Sequence, residues 1–130
     1  MNQKLNLLII MAVVAASMEF RGTAAVDHIV GDSFGWNNPN GDNVFYDIWS
    51  LNQRFHIGDV LVFNFATGAH TVAEVHLGEH QACDSHNASQ LITIGPAFVP
   101  LLTGGDHFFI CSLADHCQKG QSMTIRMEEQ

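Results

Sequence analysis

The sequence has 130 residues, 47% of them hydrophobic and 14% charged, which fits one domain and is too apolar for a disordered chain. Lys and Arg number 5 against 13 Asp and Glu, a formal net charge of -8, and this excludes a nucleic-acid binder that must neutralise phosphates with cations. The 3 cysteines are an odd number, and the 8 histidines are many for this length.

Residues 1–25 read as a secretory signal peptide. Lys4 supplies the positive start, Leu5 to Met18 form an almost uncharged apolar run, and the small residues Thr23, Ala24 and Ala25 suit signal peptidase, with cleavage after Ala25. The run is shorter than the roughly 20 residues that span a bilayer, and Glu19 and Arg21 close it. The mature domain is then 26–130, delivered to an oxidising compartment where a disulfide persists. The sequence given ends Met127-Glu128-Glu129-Gln130 without a hydrophobic tail, so a soluble product with no membrane anchor is expected.

The remaining chain reads as all-β. Candidate strands follow one another at Asp27–Val30, Val44–Ile48, Asp59–Phe65, Thr71–Val75, Leu91–Ile94, His107–Ile110 and Ser122–Met127, with Gly, Pro, Asn and Asp between them. The last alternates polar and apolar residues, the pattern of a half-buried strand. One helical turn fits at His80–Ser85, and nothing reads as a helix of three turns. Short strands at this spacing point to a sandwich or barrel.

Between the last two strands lies Cys111-x4-His116-x4-Gln121, a loop that can bring a thiolate, an imidazole and an amide oxygen around one point. A second imidazole must come from elsewhere, and His70, at the start of a candidate strand, supplies it. Two imidazoles, a thiolate and a weak axial donor suit copper cycling between Cu(I) and Cu(II), because thiolate favours Cu(I) while imidazole suits both states. An axial Gln oxygen is harder than the Met sulfur common in such sites and favours Cu(II). A Cys83–Cys117 bridge leaves Cys111 free as a ligand. The competing Cys111–Cys117 bridge joins positions six apart and leaves His116 and Gln121 without a role.

These residues resemble the phytocyanins, plant blue copper proteins with the cupredoxin fold. The resemblance runs through Val30-Gly31-Asp32-Ser33-Phe34-Gly35-Trp36, Tyr46-Asp47-Ile48-Trp49-Ser50, Phe55 to Phe63, His70-Thr71-Val72 and the loop Phe109 to Gln121. It implies a Greek-key β-sandwich or barrel with one disulfide, Cys83–Cys117. It also implies one type 1 copper ion on His70, Cys111, His116 and Gln121, with Gly120-Gln121 in place of Gly-Met as in the stellacyanin type. Thr71 departs from the usual Asn and bears on hydrogen bonding beside the metal.

The implied function is extracellular transport of single electrons, in the apoplast or cell wall space, by a monomer that meets a small-molecule or protein redox partner. A non-redox cell-wall or surface module keeping the fold is the alternative. A copper enzyme is disfavoured, since one ligand set and no His-x-His pair leave no place for further copper centres. Trp36 and Trp49 read as packing residues, and His28, His56, His76, His80, His86 and His107 as solvated or structural imidazoles. The acids, Asp59 among them, read as scattered solubilising charges. Asn87-Ala88-Ser89 is an N-glycosylation sequon.

Overall fold

The computed structural model describes residues 24–127, so most of the expected signal peptide lies outside the described residues. Seven strands form two sheets. Strands β1 (Asp27–Ile29), β2 (Val60–Phe63) and β5 (Ala97–Pro100) make the first, in the order β1-β2-β5. Strands β3 (Val72–Val75), β4 (Gln90–Ile92), β6 (Gly105–Ile110) and β7 (Ser122–Met127) make the second, in the order β4-β3-β6-β7. β1 runs parallel to β2 and the other neighbours are antiparallel. The expected cupredoxin sandwich is the fold observed.

Alternation drives the second sheet. Met123, Ile125 and Met127 of β7 are buried while Arg126 faces solvent, as the polar–apolar pattern predicts. The aromatic residues fill the space between the sheets. Trp36 meets Tyr46 at 4.8 Å and Phe63 edge-on at 5.0 Å between ring centroids, and Phe63 meets Phe109 at 5.4 Å. This aromatic core reaches the end of β6, next to Cys111.

Three local expectations change. Val44–Ile48 is not a strand: the chain forms helix α1 (Phe45–Leu51). In a strand, Val44, Tyr46 and Ile48 would share a face, but only Tyr46 is buried. The inward set Tyr46, Trp49 and Ser50 has helical spacing, and Val44 and Ile48 point to solvent. The turn expected at His80–Ser85 starts three residues earlier, as helix α2 (Leu77–Ala82), and ends at Cys83 in a left-handed conformation. Strand β5 was not expected at all. It alternates buried Ala97 and Val99 with exposed Phe98 and Pro100, and as an edge strand it tolerates a residue without an N–H.

Candidate metal centre

The loop 111–121 joins two adjacent antiparallel strands, with Ile110 opposite Ser122. Its ends are held together by the Cys111 N–H donating to the Gln121 carbonyl at 3.1 Å. Inside the loop the Gln121 N–H donates to the His116 carbonyl at 2.9 Å, and the His116 N–H donates to the Leu113 carbonyl at 3.1 Å. Cys117 is bonded to Cys83 at the end of α2, with Cα atoms 5.8 Å apart, so the residue beside His116 is covalently anchored to the far side of the second sheet. Gly120 has φ +107°, and a Cβ there would meet the Asp42 backbone, so the 37–42 loop packs directly on the metal loop.

His70 enters from the first turn before β3. Its position is set by Trp36, whose indole N–H donates to the Thr71 carbonyl at 2.8 Å. Trp36 is therefore a packing residue, as expected, and also a positioning residue for the ligand segment. The Thr71 N–H points at the Cys111 sulfur at 3.5 Å. The Thr71 hydroxyl lies 2.7 Å from the Ser112 hydroxyl and accepts from the Ser112 N–H at 2.8 Å. The departure at Thr71 thus bears on hydrogen bonding around the thiol, tying β3 to the loop at the sulfur. A sequence reading has no signal for the Trp36 and Ser112 contacts, which join residues 35 and 41 apart.

The three donors converge. His70 Nδ1 lies 3.2 Å from His116 Nδ1, which lies 3.5 Å from the Cys111 sulfur, and one ligand atom from each residue falls within 4.8 Å of the others. Cys111 is buried and free, whereas both imidazoles are half-buried. Burial holds the His70 ring below the ordinary histidine range, the nearby His116 pushes the same way, and the Gln121 amide beside it works in the opposite sense. A neutral His70 leaves a nitrogen lone pair for a metal.

Gln121 is fully buried, and neither atom of its amide finds a hydrogen-bond partner of good geometry. Such an orphaned amide costs on the order of 1–3 kcal/mol. A weak bond to a cation would offset that cost, and the set of thiolate, two imidazoles and amide oxygen fits copper. Among the described residues no second group of three such donors lies close enough to hold an ion. His28, His80 and His107 instead bond to Asp59, Ser122 and the Thr103 carbonyl, as structural imidazoles. Asp59 corrects the sequence reading: it is buried, not a solubilising charge.

A two-sheet Greek-key sandwich carrying a His-Cys-His cluster at one end defines a cupredoxin of the blue copper class. The comparisons agree. Residues 36–121 match the family described as plastocyanin-like domain. The chain is 37% identical over 101 residues to the stellacyanin of Toxicodendron vernicifluum, covering 77% of this chain and 94% of that one. It is 38% identical over 101 residues to a blue copper protein of Arabidopsis thaliana, covering 78% of this chain and 51% of that one. The solved structure of cucumber stellacyanin with Cu2+ superposes with a TM-score of 0.75 at 32% identity, covering 83% of this chain and 99% of that one. The chain belongs to the plastocyanin-like domain family and, within it, to the phytocyanins. It spans about half the length of the Arabidopsis thaliana and Pisum sativum blue copper proteins.

Proposed function

We propose that the protein is a type 1 copper protein that carries single electrons outside the cell, with His70, Cys111 and His116 as equatorial ligands and Gln121 as the axial one. The observation that carries this reading is the convergence of the three donors within 4.8 Å beside a buried, unpartnered Gln121 amide. Copper supplies a one-electron couple at such a site.

The chain's own residues do the rest. The loop hydrogen bonds, the Cys83–Cys117 bridge and the Trp36 bond to Thr71 hold the donors in place whatever the oxidation state, so little need move when an electron is exchanged. The Thr71 N–H donates toward the sulfur and stabilises its thiolate form. Burial of Cys111 keeps the sulfur from solvent oxidants, while the half-buried imidazoles offer the route by which electrons reach a partner. The role is that of a carrier rather than an enzyme.

Removal of residues 1–25 and export of the 26–130 domain belong to the same proposal. No helix among the described residues is long and apolar enough to cross a membrane. Asn87 is exposed in the turn between α2 and β4, which supports its glycosylation in a secreted chain.

The test is the absorption and spin-resonance spectrum of the copper-loaded protein. An intense blue thiolate-to-copper band, lost in Cys111→Ser, is the expected result. A colourless Cu(II) complex, or colour retained in Cys111→Ser, overturns the assignment.

A further inference from the structure

Asp59 is buried, with its side chain 2% exposed, and it takes no part in the His70–Cys111–His116 cluster. Its Oδ2 accepts from His28 Nε2 at 2.8 Å and from the His56 N–H at 2.9 Å. Its Oδ1 accepts from the Val26 backbone N–H at 3.0 Å. Burial works to raise its pKa, but the bonds from His28, His56 and Val26 outweigh it and hold the carboxyl below its ordinary range, so Asp59 is an anion at neutral pH.

Val26 is gripped on both sides. Its carbonyl accepts from the Val60 N–H at 3.0 Å, extending the β1–β2 pairing by one residue, while its nitrogen rests on the carboxylate. Ala24, Ala25 and the Val26 side chain are exposed. Independently, the small residues Thr23 and Ala25 stand third and first before the Ala25–Val26 bond, where signal peptidase reads them. The bond selected by the leader signature is the one whose nitrogen already touches Asp59.

We propose that hydrolysis of the Ala25–Val26 bond creates an α-ammonium at Val26 that Asp59 captures, giving the processed chain an ion pair across the β1–β2 seam that the unprocessed chain lacks. Water adds across the amide: its hydroxyl goes to the Ala25 carbonyl carbon and its hydrogen to the Val26 nitrogen, which takes a further proton from solvent. An amide offers Asp59 one N–H and no net charge, whereas an ammonium offers three N–H groups and a unit charge. The ionisable groups facing the carboxylate are His28 from β1 and His56 from the turn before β2, and the new cation joins them. The proposal rests on leader removal and is independent of the copper assignment.

The test has three parts, all on metal-free protein so that the copper reading does not enter. The full chain, expressed with secretion, should yield a product beginning at Val26; any other first residue overturns the proposal. A chain beginning at Val26 should have a folding constant about tenfold higher than one beginning at Ala25, ~1.4 kcal/mol. That gap should vanish in Asp59→Asn. Equal stabilities, or the same gap in Asp59→Asn, overturn it. Should Asp59→Asn fail to fold, NMR titration of the 15N-labelled Val26 amine decides. It should titrate above the ordinary range of about 7.7–8.0, and a value within or below that range overturns the ion pair.

Discussion

Replacing Gln121 by Met separates the two states of the site. The Gln121 amide is fully buried, beside His70 but with neither atom in a well-formed hydrogen bond. Each unsatisfied buried polar group costs on the order of 1–3 kcal/mol, and a thioether of similar length carries no comparable desolvation cost. Metal-free Gln121→Met should therefore be more stable than the parent by about 1–3 kcal/mol. For a domain of this size each kcal/mol moves the thermal midpoint by roughly 4–8 °C. The copper-loaded variant should behave differently, because a ligand lost from Cu(II) offsets the gain, and the softer sulfur should raise the reduction potential. Calorimetry of the metal-free and loaded proteins, with a potentiometric titration, reads all three quantities. A metal-free Gln121→Met no more stable than the parent would refute the account of the orphaned amide. An unchanged or lower potential would refute its assignment as the axial ligand.

Trp36→Phe removes the donor to the Thr71 carbonyl while keeping most of the aromatic contact, and should cost about 1–3 kcal/mol and shift the charge-transfer band; an unchanged spectrum would reduce Trp36 to packing alone. Replacing Cys83 and Cys117 together by Ala opens a bridge between residues 34 apart, worth about 4 kcal/mol by chain entropy. The midpoint should fall by roughly 15–30 °C, and a fall of a few degrees would contradict the estimate. His107 has an acceptor at each ring nitrogen, the Glu74 carboxylate and the Thr103 carbonyl, and the Glu74 bond chiefly raises its pKa against the opposing effect of burial. Its stabilising contribution is thus fully present below the unfolded value of about 6.5 and is lost as pH rises through the higher folded value. Urea midpoints of metal-free protein should decline over that window and flatten in Glu74→Gln; a parallel decline in the variant would assign the effect elsewhere.

The parts legible in the sequence are those governed by short-range pattern. β7 reads correctly to the residue because Met123, Ile125 and Met127 are buried while the alternate residues Ser122, Thr124 and Arg126 are half-buried or exposed. The Cys111-x4-His116 spacing is legible for the same reason, since strands on either side force the loop to close and bring both residues to His70. Where tertiary packing decides, pattern fails. Val44, Phe45, Tyr46 and Ile48 all favour strands by composition, yet Tyr46 and Trp49 must both face the core, and only a helix puts them there. β5 is hidden by Pro96 and Pro100, which are tolerable only because the strand lies at an edge. Asp59 looks like any surface acid until His28 of β1 and the His56 and Val26 N–H groups close over it.

Two locally unfavourable features gather in one loop. Ala114 sits at φ 46°, a left-handed conformation that costs a residue without a local hydrogen-bonding side chain roughly 1–2 kcal/mol. Gln121 is buried seven residues later with neither amide atom in a well-formed hydrogen bond. Neither helps the metal-free fold, and each is overcome by strong anchors close by: the Cys83–Cys117 bridge, the Gly120 contact with Asp42 and the Trp36 bond to Thr71. Costs concentrated where anchors are also concentrated are what selection for a site produces, because a chain optimised for stability alone would shed them. The same reasoning applies to Asp59, whose burial would be a liability without the N–H donors around it and becomes an asset when one of those donors acquires a charge.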